Sequence, residues 1–213
     1  DNNNSNTITG TKIEQTAMAQ ENDPTYARDK VKLVNNGIMS LTGDKSTGIY
    51  GKYAELSNTA SGKITMGNSG TALYGKGDSL VTNAGAITLG SSSTGMYLEG
   101  ATAAGTGPSN AKGKLENIGT ITSTATKAIG MTYNGTGTGT TDVRAENKGA
   151  GNINLSGEGS VGIYGLGNNY MLRNSAGITL GNASSIANPN LGIFYSDASI
   201  TTENTGTIKR GHN

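Results

Sequence analysis

Four charged residues hold one position relative to a recurring asparagine: Glu116 before Asn117, Glu146 before Asn147, Arg173 before Asn174 and Glu203 before Asn204. Paired carboxylates beside a cation are the equipment of glycoside cleavage. One acid protonates the leaving oxygen while a second carboxylate attacks or activates water. Brought together, these four residues would suit a carbohydrate-active enzyme. The competing reading is a solvated face on which Arg173 offsets Glu146 and Glu203. A clustered active site draws acids from two neighbouring columns, and the sequence supplies one. Other chemical signatures are weaker. "GEGSVG" at 157–162 matches G-x-G-x-x-G, but a dinucleotide site needs a helix next, and a strand-like "SVGIYG" stands there instead. His212 is the single histidine, in the terminal "RGHN". Neither a Ser-His-Asp set nor a histidine metal site gains support from it. "GKGD" at 75–78 is one acid short of a calcium-binding Gly-Gly-x-Gly-x-Asp array and occurs once. Ice binding needs a flat threonine ladder, and the threonines do not read as one column. The expectation is therefore no catalytic residue, no cofactor and no metal ligand.

Composition narrows the classes further. Gly is 34 of 213 residues, roughly double the usual share. Only 33% of residues are hydrophobic and 15% charged, with a net charge of +1. No Lys/Arg block stands out, which argues against nucleic acid as a partner. The absence of cysteine excludes a disulfide scaffold, a thiolate zinc site and a cysteine nucleophile. No apolar run is long enough to span a bilayer as a helix, so direct membrane insertion is not expected. The chain opens on "DNNN" without a methionine or a signal peptide. It reads as a piece of a longer protein.

What positions any of these residues is a repeat. "VNNGIMSL", "TNAGAITL", "ENIGTITS" and "ENTGTIKR" align on Asn-x-Gly-x-Ile-x-Leu, and looser copies centre on Asn58, Asn147 and Asn174. The asparagines Asn35, Asn58, Asn83, Asn117, Asn147, Asn174 and Asn204 are spaced 23 to 34 residues apart. A partial copy surrounds Asn4 and Ile8. A second signature follows five of the seven: "STGIYG" at 46–51, "GTALYG" at 70–75, "STGMYL" at 93–98, "SVGIYG" at 160–165 and "NLGIFY" at 190–195. In "VKLVNNGIMSL", Val31, Leu33, Asn35, Gly37, Met39 and Leu41 share one parity, the period of a strand with one buried face. Each repeat thus reads as two strand-like parts separated by glycine-rich turns.

Stacked strand units at this spacing predict an all-β fold, a right-handed parallel β-helix of about seven rungs. Successive rungs lie about 4.8 Å apart, so each sequence column stacks on itself. Leu33, Leu56, Val81, Leu115, Ala145, Leu172 and Thr202 form one core column; Ile49, Leu73, Met96, Met131, Ile163 and Ile193 form another. The asparagine column shares core parity. A buried amide costs a few kcal/mol unless bonded, so these residues are expected to bond one another as a structural ladder, at a corner where asparagine tolerates the left-handed conformation. The column Tyr50, Tyr74, Tyr97, Thr132, Tyr164 and Phe194 should point outwards, as an internal stacking ladder or as a surface for a partner. Pro24, Pro108 and Pro189 fall in stretches that lengthen rungs (20–30, 98–112 and 181–190). The insertions 20–30, 98–112 and 134–142 share one corner. The whole of 1–213 is expected to be one fragment: a partial rung and loop over 1–30, rungs over 31–208 and a frayed end at 209–213.

The alternation of "N-x-G-x-I-x-L" with "S/T-x-G-I-Y-G" resembles the passenger domains of bacterial type V autotransporters, most of all the very large fusobacterial outer-membrane adhesins. The resemblance covers positions 31–208. It implies a right-handed β-helix displayed outside the outer membrane, adhering to a protein or glycan of host cells or other bacteria, with virulence as the setting. No ligand-binding residue carries over from it. A carbohydrate-active enzyme and a pure structural spacer remain the alternatives.

Overall fold

In the computed structural model, which describes residues 2–22, 31–102, 113–184 and 186–211, the chain is a parallel β-helix. Its 23 strands among the described residues form three sheets, two of eight strands and one of seven. Every pairing is parallel and joins a strand to its counterpart one rung away, as in Leu33 to Leu56 to Val81. No helix occurs among the described residues.

Each of the first seven rungs contains three strands, and the last described rung two. In the second rung they are Val31–Asn35, Ile38–Leu41 and Thr47–Lys52, one for each sheet. The stretch read from sequence as one alternating strand is therefore two, bent at Asn35-Asn36-Gly37. Inward parity continues straight across the bend, because Asn35, Gly37, Met39 and Leu41 are all buried. Gly37 is required there: a Cβ would lie 2.1 Å from the carbonyl oxygen of Asn6 in the rung before. The start of the chain contributes strands to all three sheets, at Asn2–Asn4, Thr7–Gly10 and Thr16–Glu21.

The core is a narrow apolar strip. Both expected core columns are buried except at the far end, where Thr202 is exposed and Ile193 only partly covered. The conformational expectation for the asparagines is corrected. None of them has positive φ. Tyr53 and Asn169 aside, the left-handed non-glycine residues lie instead at the corner between the second and third sheets, at Glu14, Lys45, Ser69, Ser92 and Lys127, and Gly159 holds the same place. Each precedes the third-sheet strand of its rung by two residues.

The insertions also start later than the repeat suggested. The third-sheet strands of the fourth and fifth rungs run on to Ala101 and Thr136. Asn22, Thr102, Gly113 and residues 137–142 all lie between a third-sheet strand and the next first-sheet strand. Pro24, Pro108 and most of the first two insertions lie outside the described residues, as does His212. Pro189 sits between the strands Gly177–Leu180 and Leu191–Tyr195.

Candidate functional site: the outer faces of the solenoid

The asparagine ladder is continuous. Starting at Asn4, each side-chain amide donates to the Oδ1 of the next asparagine along the axis, through to Asn204, at 2.8–2.9 Å per step. Spare amide hydrogens go to corner carbonyls such as those of Gly37, Gly62 and Gly119. The members from Asn35 to Asn174 have no solvent exposure. Their amides are consumed inside the rod and present nothing to a ligand.

The charged column is a self-neutralised clasp. Glu116, Glu146, Arg173 and Glu203 occupy successive rungs of the first sheet in register. Arg173 lies 3.5 Å from Glu146 and 2.9 Å from Glu203. Two lysines that the repeat alignment did not bring to this face complete it. Lys114 reaches Glu116 at 2.7 Å and Glu146 at 3.5 Å, and Lys148 reaches the same two acids at 2.9 and 3.5 Å. Three acids thus face three cations. Burial alone would raise the Glu116 carboxyl, but Lys114 and Lys148 outweigh it and hold it below its ordinary range. A general acid needs the opposite shift. The arrangement suits a clamp across rungs. No group of three or more His, Cys, Asp or Glu side chains is placed to hold a metal ion among the described residues. The "GKGD" aspartate, Asp78, is buried and accepts hydrogen bonds from the Thr102 backbone N–H and hydroxyl.

The aromatic column faces outwards on the third sheet, and its rings touch. Tyr50 and Tyr74 have centroids 5.3 Å apart at 81°, Tyr74 and Tyr97 lie 5.1 Å apart at 47°, and Tyr164 and Phe194 lie 5.4 Å apart at 40°. Such edge and tilted contacts contribute about 0.5–1.5 kcal/mol each. Thr132, buried in the same column, divides the row into two groups. Two acids missed in the sequence pin the first group. Tyr50 donates to Glu21 at 2.7 Å, while Tyr74 and Tyr97 donate to Glu99 at 2.6 and 3.3 Å. Finding them requires the register between rungs, because Glu21 lies 29 residues from Tyr50. Burial first, then the hydrogen bond to Glu21, pushes the Tyr50 phenol up to about 12. Its ordinary value is 10.0, so its contribution to stability is intact below pH 10 and declines as pH climbs towards 12. An absorbance titration should show Tyr50 ionising late, and Glu21→Gln should bring that step to lower pH. An unchanged titration in the variant would refute the clamp.

Third-sheet surface chemistry changes along the axis. Over the second to fourth rungs it carries three columns: Thr47, Thr71, Thr94; Tyr50, Tyr74, Tyr97; and Lys52, Lys76, Glu99. Beyond, Ile129, Val161 and Leu191 replace the threonines. Phe194 and Tyr195 are exposed there. The second sheet corrects a further expectation. Thr9, Ser40, Thr65, Thr88, Thr122, Asn154 and Thr179 do share one outward column. The column beside it is mixed, with Ile38, Lys63 and Ala86 in register. It lacks the regular hydroxyl lattice that ice binding needs.

No helix among the described residues is long and apolar enough to cross a membrane. Comparison with protein-family models, curated proteins and solved structures returned no match.

Proposed function

We propose that this chain is a non-enzymatic adhesive segment of a surface-displayed bacterial autotransporter passenger. It binds a protein or glycan of host cells or other bacteria through the outside of its solenoid. The observation that carries this reading is the third-sheet face, where a row of half-buried tyrosines is fixed in place on a self-satisfied scaffold. Aromatic side chains with one apolar face and a polar tip are the groups most favoured at recognition surfaces. The scaffold costs little ordering on binding, because stacked strands hold the row before a partner arrives. The resemblance of the paired repeat signatures to large autotransporter adhesins supports the same reading. The charged clasp on the first sheet, the best catalytic-looking group, has its acids tied to cations.

Fluorescently labelled chain added to epithelial cells and to mixed bacterial partners should bind saturably and be displaced by excess unlabelled chain. Absence of displaceable binding on all of them would leave a structural spacer. Glycan turnover abolished by Glu146→Gln would instead establish the enzyme.

A further inference from the structure

We infer that the third-sheet face over the second to fourth rungs is a subsite for an uncharged, extended oligosaccharide lying along the solenoid axis. The inference rests on the adhesive reading and names its ligand class. Thr, Tyr and a charged residue recur there in the same three columns on three successive rungs. A ligand recognised three times must itself repeat at the rung step, about 4.8 Å. The tyrosine centroids are spaced at 5.3 and 5.1 Å. Sugar rings in an extended β-1,4-linked chain advance by close to one such step, and although alternate rings are turned over, two rings still span two rungs, so each ring meets one tyrosine. An extended peptide repeats its side-chain direction every two residues, about 6.6–6.8 Å, and loses register with the rungs.

The chemistry of the columns agrees with the spacing. The charges flanking the first tyrosine group are Glu21, Lys52, Lys76 and Glu99, two of each sign, and Lys76 pairs with Glu99 at 3.2 Å. An ionic ligand gains no net attraction from such a set. A neutral polyol finds acceptors in the carboxylates and donors in the lysines and threonines. The rings are set at angles to one another, and each remains partly exposed. The negative face of an aromatic ring attracts weakly positive C–H edges, which both faces of an all-equatorial β-pyranose supply through their axial C–H bonds. The hydroxyls are committed to Glu21 and Glu99, so it is the rings that are left for contact. Large aliphatic side chains, which an apolar protein partner would need, enter this face only from Ile129 onwards.

The test is a printed array of neutral β-linked hexose and N-acetylhexosamine chains, from monosaccharide to hexasaccharide, probed with the whole chain. Retention should rise with length and level off once three rungs are covered. Tyr74→Ala should weaken it at least tenfold. Tyr74→Phe should keep most of it, because the hydroxyl serves Glu99. Val161→Thr, on the apolar half, should leave it unchanged. A blank array, length-independent retention or equal binding by Tyr74→Ala would overturn the inference. A blank array together with displaceable cell binding that Val161→Thr removes would sink the glycan but keep the adhesin, with a protein as partner. Failure to bind any cell would instead strike the adhesive reading.

Discussion

Asn83→Ala is expected to destabilise the solenoid by about 3–5 kcal/mol, several times more than Asn204→Ala. Asn83 accepts from Asn58 at 2.9 Å and donates to Asn117 at 2.8 Å, and all three side chains are fully buried. Its removal strands one donor and one acceptor without water, and each orphan costs about 1–3 kcal/mol. Loss of polarisation along an aligned amide chain adds to this. Asn204 is exposed and takes part in one ladder step, so its loss should cost under about 1 kcal/mol. Urea unfolding of the two variants measures the difference. Equal costs would mean that the ladder is decoration on a fold held by its backbone alone. Asn83→Asp sharpens the test. A carboxylate cannot donate to Asn117, and a buried carboxyl has its pKa raised. This variant should therefore be least stable at neutral pH and regain stability in acid, the reverse of ordinary acid denaturation.

The second large effect is expected at Asp142. Arg144 is the largest fully buried side chain, set where the pairing of Val143–Asn147 with the next rung shifts register. Its Nε donates to Asp142 at 2.8 Å and its Nη1 to the Gly113 carbonyl at 3.1 Å, while Nη2 and the nearby Tyr133 hydroxyl find no well-formed hydrogen bond among the described residues. Asp142→Ala leaves the guanidinium buried and uncompensated, a loss of about 3–5 kcal/mol. Replacing both residues, as Asp142→Ala with Arg144→Met, should recover most of it, since a buried pair exchanged for apolar groups is often neutral. A double-mutant cycle in urea measures this coupling. A cost below about 1 kcal/mol for Asp142→Ala would place the pair with ordinary surface ion pairs. The pH dependence has a definite sign. Burial alone would raise the Asp142 carboxyl, but hydrogen bonds from Thr138 and Arg144 outweigh it and hold it below its ordinary 3.8. The stabilisation is thus present above that value and is lost as pH falls through the lower folded pKa.

Both predictions concern residues that the chain reveals unequally. Asn83 announces itself, because its column recurs in nearly every repeat. Arg144 does not, because it sits in one rung only, and a repeat alignment averages such residues away. The same holds for Tyr133 and Tyr170, buried against each other with centroids 4.6 Å apart.

The sequence by itself determined the parallel β-helix, its core columns, the buried asparagines and the outward aromatic row. In a solenoid the distance from one rung to the next is the repeat length, so long-range pairing is written as local periodicity. Three matters were decided only by tertiary structure. The bend at Asn-x-Gly is invisible to alternation, because inward parity runs straight through it. The left-handed corner is held by Glu14, Lys45, Ser69, Ser92 and Lys127, residues with no common chemistry, since the backbone path rather than the side chain imposes that conformation. The partners of the charged and aromatic columns, Lys114 and Lys148 for the acids and Glu21 and Glu99 for the tyrosines, occupy other columns. Only the lateral packing of neighbouring columns across a face brings them into reach.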